Sequence, residues 1–337
     1  MKNAGMKFTI VEKFSGYFPK PFHSISTLKR NHYFVVDDIS IMGDAPKELI
    51  QVYEFGNVKK SSRNKWILYI AKTGQKWYPI ESIMEFMMFR LGQCFGLNMA
   101  HSRLLRVGGQ VRFLSKYFLS QKDQQLVHGS EIFAGYIEDR ELVEEIEEKK
   151  MARDLFSVQF AYKAIKSIFP NKAEIIFGDF IKMLLFDAWV GNNDRHFYNW
   201  GFVRHMRDEH EPYFSPIYDT ARGLFWNESE EKISSLFNNK PQLKSFLVKY
   251  IDQSKPKIGF DGEKEINHFR LFEMITKDQI GINNETVRLL CSYDLLEKSC
   301  RILDEEFNVL ISKERLYLIK KCLEERYQRL EQILKGV

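Results

Sequence analysis

At 337 residues with 44% apolar content, the chain is long enough for one large bilobal domain or two ordinary ones around a sizeable core, which excludes the disordered class. Its 50 basic and 45 acidic residues are mixed along the chain and leave a net charge of only +5, so charge implies no nucleic-acid partner and no membrane surface. Cys94, Cys291, Cys300 and Cys322 share no C-x-x-C spacing and stand among apolar helical residues, a pattern of free buried thiols in a reducing compartment rather than of disulfides or zinc.

Met1 to Phe18 lacks an apolar core of signal-peptide length, and the most apolar run, Phe177 to Val190, is broken by Asp179, Lys182 and Asp187. The expectation is a cytoplasmic protein without a membrane span, with release into a host as the alternative. Phe8, Ile10 and Val11 predict a first strand, followed by an irregular segment at Gly16, Pro19 and Pro21. Ile39-Ser-Ile-Met-Gly-Asp-Ala-Pro-Lys47 then reads as a turn between strands, with Ile50, Val52 and Phe55 alternating toward Gly56. A glycine at Gly43 lets backbone amides approach phosphate oxygens, although an ordinary hairpin needs a glycine there equally.

Trp66 to Lys72 is a continuous β-prone run that ends in a lysine, and its apolar density predicts a buried strand. Pro79 to Phe95 carries Ile80, Ile83, Met84, Met87, Met88, Leu91 and Phe95 at helical spacing, with Glu81 and Glu85 in its first turns. A strand-end lysine followed by a helix glutamate is the pair by which kinases hold nucleotide phosphates; the bland alternative is two solvated charges. Leu104 to Leu119 predicts a hairpin turning at Gly108-Gly109. From Glu131 the periodicity is helical, and the charged run Glu138 to Lys150 reads as a solvated helix face. Asn171 with Glu174 predicts a helix cap, and the helix it starts runs to Val190-Gly191.

Gly191-Asn-Asn-Asp-Arg-His-Phe-Tyr-Asn-Trp-Gly-Phe202 follows that helix as a polar loop, and Pro216-Ile-Tyr-Asp-Thr220 comes back after a short hairpin. Asp194 and Asn199 stand five apart, the D-x-x-x-x-N spacing by which a kinase carboxylate takes the acceptor proton while the amide holds metal. Asp219 is placed to be the later aspartate that holds metal from the other side. A D-x-x-x-x-N match alone arises often by chance; the order helix, polar loop, strand, turn, strand, Asp raises it. Of the histidines, His196 is expected to pack and orient this loop, and His205 and His210 to lie in a polar hairpin tip. Beyond Asp219 the chain is predicted to be mostly helical, over Ser229 to Tyr250, His268 to Ile275, Asn284 to Ile302 and Lys313 to Leu334.

Over about Asp38 to Asp219 these pieces resemble the HipA-like Ser/Thr protein kinases of bacteria. The Ser40 to Lys47 segment is similar to the family's S-x-x-G-x-x-x-K phosphate loop, with Met42 and Ala45 where the family usually has Ala and Gln. Lys72 and Glu85 match the strand lysine and its helix partner, Asp194-Arg-His196-x-x-Asn199 the catalytic loop, and Tyr218-Asp219 the metal-binding Tyr-Asp. The resemblance implies an α+β, bilobal protein-kinase-like fold, with a β-rich lobe over residues 1–120 and a mostly helical lobe over 121–337. It implies ATP bound by Ser40, Gly43, Lys47, Lys72, Glu85, Ser115, Lys116 and Tyr117, and Mg2+ held by Asn199 and Asp219. Asp194 would be the base, His196 would support it, and the acceptor would be a Ser or Thr of a protein. Self-phosphorylation at Ser40 would add about −2 charge where ATP must bind and so exclude nucleotide. Typical members carry a further subdomain before the phosphate loop, whereas here that loop begins near residue 39; no antitoxin partner is therefore expected. D-R-H-x-x-N is also the loop of phosphoinositide kinases, which makes an inositol lipid the second reading of the acceptor. A catalytically dead kinase-fold binding module is the third.

Overall fold

The structure, a computed structural model, describes residues 25–36, 47–56, 58–74, 78, 80–119, 123–207, 211–263 and 265–336. The strand expected at Phe8 to Val11, the turn containing Ser40 and Gly43, and His210 lie outside these described residues.

Five antiparallel strands, β1 (Tyr33–Val35), β2 (Lys47–Val52), β3 (Ile67–Lys72), β4 (Ser102–Val107) and β5 (Gln110–Lys116), form one sheet in the order β1-β2-β3-β5-β4. Gly108 and Gly109 join β4 to β5 with φ of +62° and +86°, the left-handed pair that a two-residue hairpin turn requires. β3 is central, so Tyr69 and Ala71 are buried, and its register sets Lys47 opposite Lys72. Helix α1 (Glu81–Cys94) packs on β4 and β5 with one side. Its other side meets the C-terminal helices, where Arg90 makes a two-pronged contact with Glu306, each bond 2.7 Å. Burial from both sides explains why Ile83, Met84, Met87, Met88 and also Glu85 are all interior.

A three-stranded sheet of β6 (Gln124–His128), β7 (Gly201–His205) and β8 (Tyr213–Phe214) lies among helices α2 (Gly129–Ile137), α3 (Arg140–Glu148), α4 (Val158–Ile168) and α5 (Ala173–Val190). α5 is apolar nearly all round and forms the centre of the large core, each fully buried Phe or Leu contributing roughly 2 kcal/mol. Gly191 ends it at φ +65°. α5 starts at Ala173, two residues later than the expected cap: Asn171 caps nothing, and Glu174 instead accepts a hydrogen bond of 2.5 Å from the Tyr162 hydroxyl.

The rest of the chain forms α6 (Glu230–Phe237), α7 (Lys240–Gln253), α8 (His268–Asp278), α9 (Asn284–Leu290), α10 (Tyr293–Ile302) and α11 (Lys313–Gly336). Two spans expected as single helical segments are broken, because Asn239 and Ser292 each accept a backbone N–H and so start a new helix. The four cysteines are free; Cys291 and Cys322 are buried as expected, while Cys94 and Cys300 are half-buried. Among the described residues no helix is long and apolar enough to cross a membrane.

Candidate active site

Lys72 leaves the end of β3 and is shared by two carboxylates, its Nζ 2.7 Å from Glu85 Oε1 on α1 and 2.8 Å from Asp219 Oδ1. Burial opposes the ammonium, yet the Asp219 and Glu85 charges outweigh it and raise the pKa of Lys72. Burial also opposes ionisation of Asp219, but the Lys72 ammonium, with help from Lys47, brings its pKa down to about 2. Glu85 has the opposite outcome: burial, reinforced by the Asp219 charge, outweighs Lys72 and lifts it to about 7. Asp219 itself sits at φ +53°, a left-handed conformation that an aspartate adopts at a cost and that aims its half-exposed side chain at Lys72. Ser115 joins Glu85 and Asp219 around a small cavity. Lys116 and Tyr117 lie exposed at the exit of β5, with their N–H groups donated to His101 O and Leu68 O.

The loop after α5 is built on Arg195. This guanidinium, 2% exposed, binds both oxygens of the equally buried Asp187 at 2.9 and 3.0 Å. It also donates to the carbonyls of Asn199 at 2.9 Å and Tyr218 at 2.8 Å, and to the Thr220 hydroxyl at 2.7 Å. Arg195 thus ties the loop of Asp194 and Asn199 to the segment after β8 that carries Asp219, as the expected hairpin required. The Asn199 amide donates to the Asp194 carbonyl at 2.8 Å, which commits its nitrogen and leaves its oxygen for a cation. His196 braces the same turn, its Nδ1 accepting from the Tyr198 N–H at 3.3 Å. The amide oxygen of Asn199 and the carboxylate of Asp219 are hard oxygen donors of the kind Mg2+ takes.

Asp194 is three-quarters covered and its pKa is raised: burial outweighs the lowering by Arg222, whose Nε lies 3.3 Å from Oδ2. Tyr218 hydrogen-bonds His128 Nδ1 at 2.9 Å and the Tyr198 carbonyl at 3.1 Å, and burial with the Asp219 charge raises its pKa, so it stays a neutral strut. His205 is buried at the end of β7 beside Asp123 and not in a polar tip, because β6 covers it.

Sequence reasoning assigned no role to Arg195, Asp187, Arg222, Arg315 or Arg326. The last two are fully buried on α11: Arg326 Nε donates to Ala188 O at 2.7 Å, and Arg315 donates to Phe225 O at 2.8 Å. One signal was available, a carboxylate at Asp187 within the apolar C-terminal half of α5, Met183 to Val190, where a buried charge has to have a partner.

A strand-end lysine held by a helix glutamate, facing a D-x-x-x-x-N loop and a later aspartate, defines a kinase-like phosphotransferase. The family model for the HipA-like C-terminal domain matches residues 39–288, well over half of the chain, and the chain belongs to that family. Several solved structures share the fold, among them those of two bacterial proteins. The Helicobacter pylori proinflammatory kinase CtkA superposes with a TM-score of 0.68 at 16% identity, covering 93% of this chain and 97% of that one. HipA of Shewanella oneidensis, solved with HipB and operator DNA, gives 0.51 at 15% identity, covering 87% of this chain and 65% of that one. A search of curated proteins finds no match.

Proposed function

We propose that the chain is an ATP- and Mg2+-dependent kinase of the HipA-like type that transfers the γ-phosphoryl of ATP to a Ser or Thr hydroxyl of a protein. The observation that carries this reading is the Lys72 ammonium shared between Glu85 and Asp219 at 2.7 and 2.8 Å. Residues 1–120 would form the smaller lobe and 121–337 the larger, with nucleotide between them. Lys72, oriented by Glu85, and Lys47 beside it would hold the phosphates. Asn199 and Asp219 would hold the metal, which would offset the negative charge of the phosphates.

Asp194 would accept the hydroxyl proton as the acceptor oxygen bonds to the γ-phosphorus and the bond to the bridging β,γ-oxygen breaks, releasing ADP. The raised pKa of Asp194 suits that proton transfer, and the Arg222 guanidinium keeps the carboxylate oriented. His196 and Arg195 would act only by holding the loop. Ser40 and Gly43 complete the nucleotide site in this reading, with Ser40 the site of self-phosphorylation that turns the enzyme off.

Calorimetric titration with ATP tests the reading. Wild type should bind ATP more tightly with Mg2+ than without, Asp219→Asn should lose the Mg2+ enhancement, and Lys72→Met should weaken binding in both conditions. Equal affinities across proteins and metal conditions would refute it.

A further inference from the structure

A row of three side chains leads from the start of α1 to Asp194. Arg222 Nε stands 3.3 Å from Asp194 Oδ2, and the guanidinium carbon lies 5.1 Å from the centre of the Trp226 ring. That ring in turn meets the ring of Tyr78, with centroids 4.6 Å apart and planes at 53°. Tyr78 lies between β3 and α1, and its carbonyl accepts the N–H of Glu81, the first residue of α1, at 3.0 Å. One turn further along α1, Glu85 binds Lys72 at 2.7 Å. The row therefore joins the helix that holds the Lys72 ammonium to the carboxylate assigned above to the acceptor.

The Arg222 to Trp226 turn is fixed from several sides. The Arg222 carbonyl accepts from Asn193 N at 3.1 Å, and Leu224 and Phe225 are fully buried at φ +49° and +65°. The Phe225 N–H donates to the Tyr250 hydroxyl at 2.7 Å, and the Phe225 carbonyl accepts from Arg315 at 2.8 Å. A side chain at Gly223 would meet the Val190 carbonyl at 2.5 Å, so the turn cannot drift away from the loop. Arg222, by contrast, ends in a long side chain with many rotamers, and a flat ring against its guanidinium favours the pose that reaches Asp194. Trp226 and Tyr78 are both half-buried, so their contact is a packed aromatic pair that holds more firmly than its covered area alone implies.

We infer that Tyr78 and Trp226 are positioning residues that couple the nucleotide side of the site to the acceptor side: with α1 seated, Tyr78 packs Trp226, Trp226 sets Arg222, and Arg222 aligns Asp194. The inference rests on the kinase reading above and leaves the chemistry to Asp194. By this route the base is aligned when Glu85 and Lys72 are in place, which ties transfer to a formed nucleotide site.

The test uses the full chain with Mg2+ and ATP, and dephosphorylated casein as a generic Ser and Thr acceptor. Trp226→Leu should lower kcat about tenfold or more, while ATP affinity by calorimetry stays within about twofold of wild type. Trp226→Phe, which keeps a ring against the guanidinium, should stay within about threefold of the wild-type kcat. Tyr78→Ala should lower kcat in the same way, and Tyr78→Phe should not. The Tyr78→Ala, Trp226→Leu double variant should be no slower than Trp226→Leu alone, because both changes act along one route. A wild-type kcat in Trp226→Leu, losses that multiply in the double variant, or a Trp226→Phe protein as slow as Trp226→Leu would overturn the coupling and leave the kinase reading standing. A fall in ATP affinity that matches the fall in kcat would do the same. If Trp226→Leu loses its cooperative unfolding transition, the Tyr78 variants decide: Tyr78→Ala at the wild-type rate, or Tyr78→Phe as slow as Tyr78→Ala, overturns the coupling. Mg2+-enhanced ATP binding by wild type without transfer to casein, to the chain itself or to water overturns it as well. Absence of both transfer and Mg2+-enhanced ATP binding would bring down the kinase reading and the coupling together.

Discussion

Replacing Arg195 with Met removes a group that joins Asp187, the catalytic-type loop and the segment before Asp219. Both partners of the ion pair are at most 2% exposed, so the substitution leaves the Asp187 carboxylate buried without a cation. Breaking such a pair from one side costs about 4 kcal/mol. With 337 residues the unfolding entropy near the midpoint is about 0.7 kcal/mol/K, which converts that loss into a fall of about 6 °C in Tm. Pairing the change with Asp187→Leu removes the stranded charge, so the double variant should recover at least half of the lost stability. It should not recover activity, because the carbonyls of Asn199 and Tyr218 still lack their donor. Thermal unfolding and steady-state transfer assays on wild type, single and double variants check this directly. A single variant that melts within about 1 °C of wild type, or a double variant as active as wild type, would refute the hub role of Arg195.

Other consequences can be measured separately. His268 is buried on α8, and burial with the nearby Arg326 holds its pKa well below 6.5, so the unfolded chain binds a proton that the folded chain refuses. Stability from this group is complete above about pH 6.5 and is lost as pH falls below it, by up to about 1.4 kcal/mol per pH unit. Denaturant titrations from pH 8 to about pH 5 should show that slope in wild type and a flatter one in His268→Leu; parallel curves would contradict it. Gly223→Ala should lower Tm and slow transfer, since its Cβ falls 2.5 Å from the Val190 carbonyl; unchanged stability and rate would show that the turn can shift freely. Asp194→Asn should cut kcat by about 10²-fold or more while leaving ATP affinity near wild type, measured by turnover and calorimetry. A matching loss of affinity would mean that Asp194 serves nucleotide binding instead.

The parts of the site legible in the sequence are those whose chemistry fixes residue type at short spacing. Asp194 and Asn199 lie in one loop, and Lys72 and Glu85 lie on a strand and the next helix, so local pattern sufficed to pair them. What escaped depends on contacts between distant segments. Arg195 reads as one more loop residue until the fold brings Tyr218 and Thr220 to it, and Arg326 on α11 reaches Ala188 across 138 positions. β6 was not anticipated because Gln124 to His128 is only half-buried and has strand character only against β7. The same pairing buries His205, which hydropathy alone had put at a polar tip. Asn171 has the residue type and spacing of a cap, but Glu174 is taken by Tyr162 and the helix begins past it.

The measurement that bears most directly on the central reading is transfer of the γ-phosphoryl from labelled ATP to protein Ser or Thr, with Mg2+ present and with the metal chelated. Wild type should incorporate label only with Mg2+. Asp194→Asn and Asp219→Asn, each confirmed as folded by its unfolding transition, should fall to about one hundredth of that rate or below. Incorporation at the wild-type rate in either variant, or none in wild type with Mg2+ and ATP saturating, would contradict the assignment of this site to phosphoryl transfer.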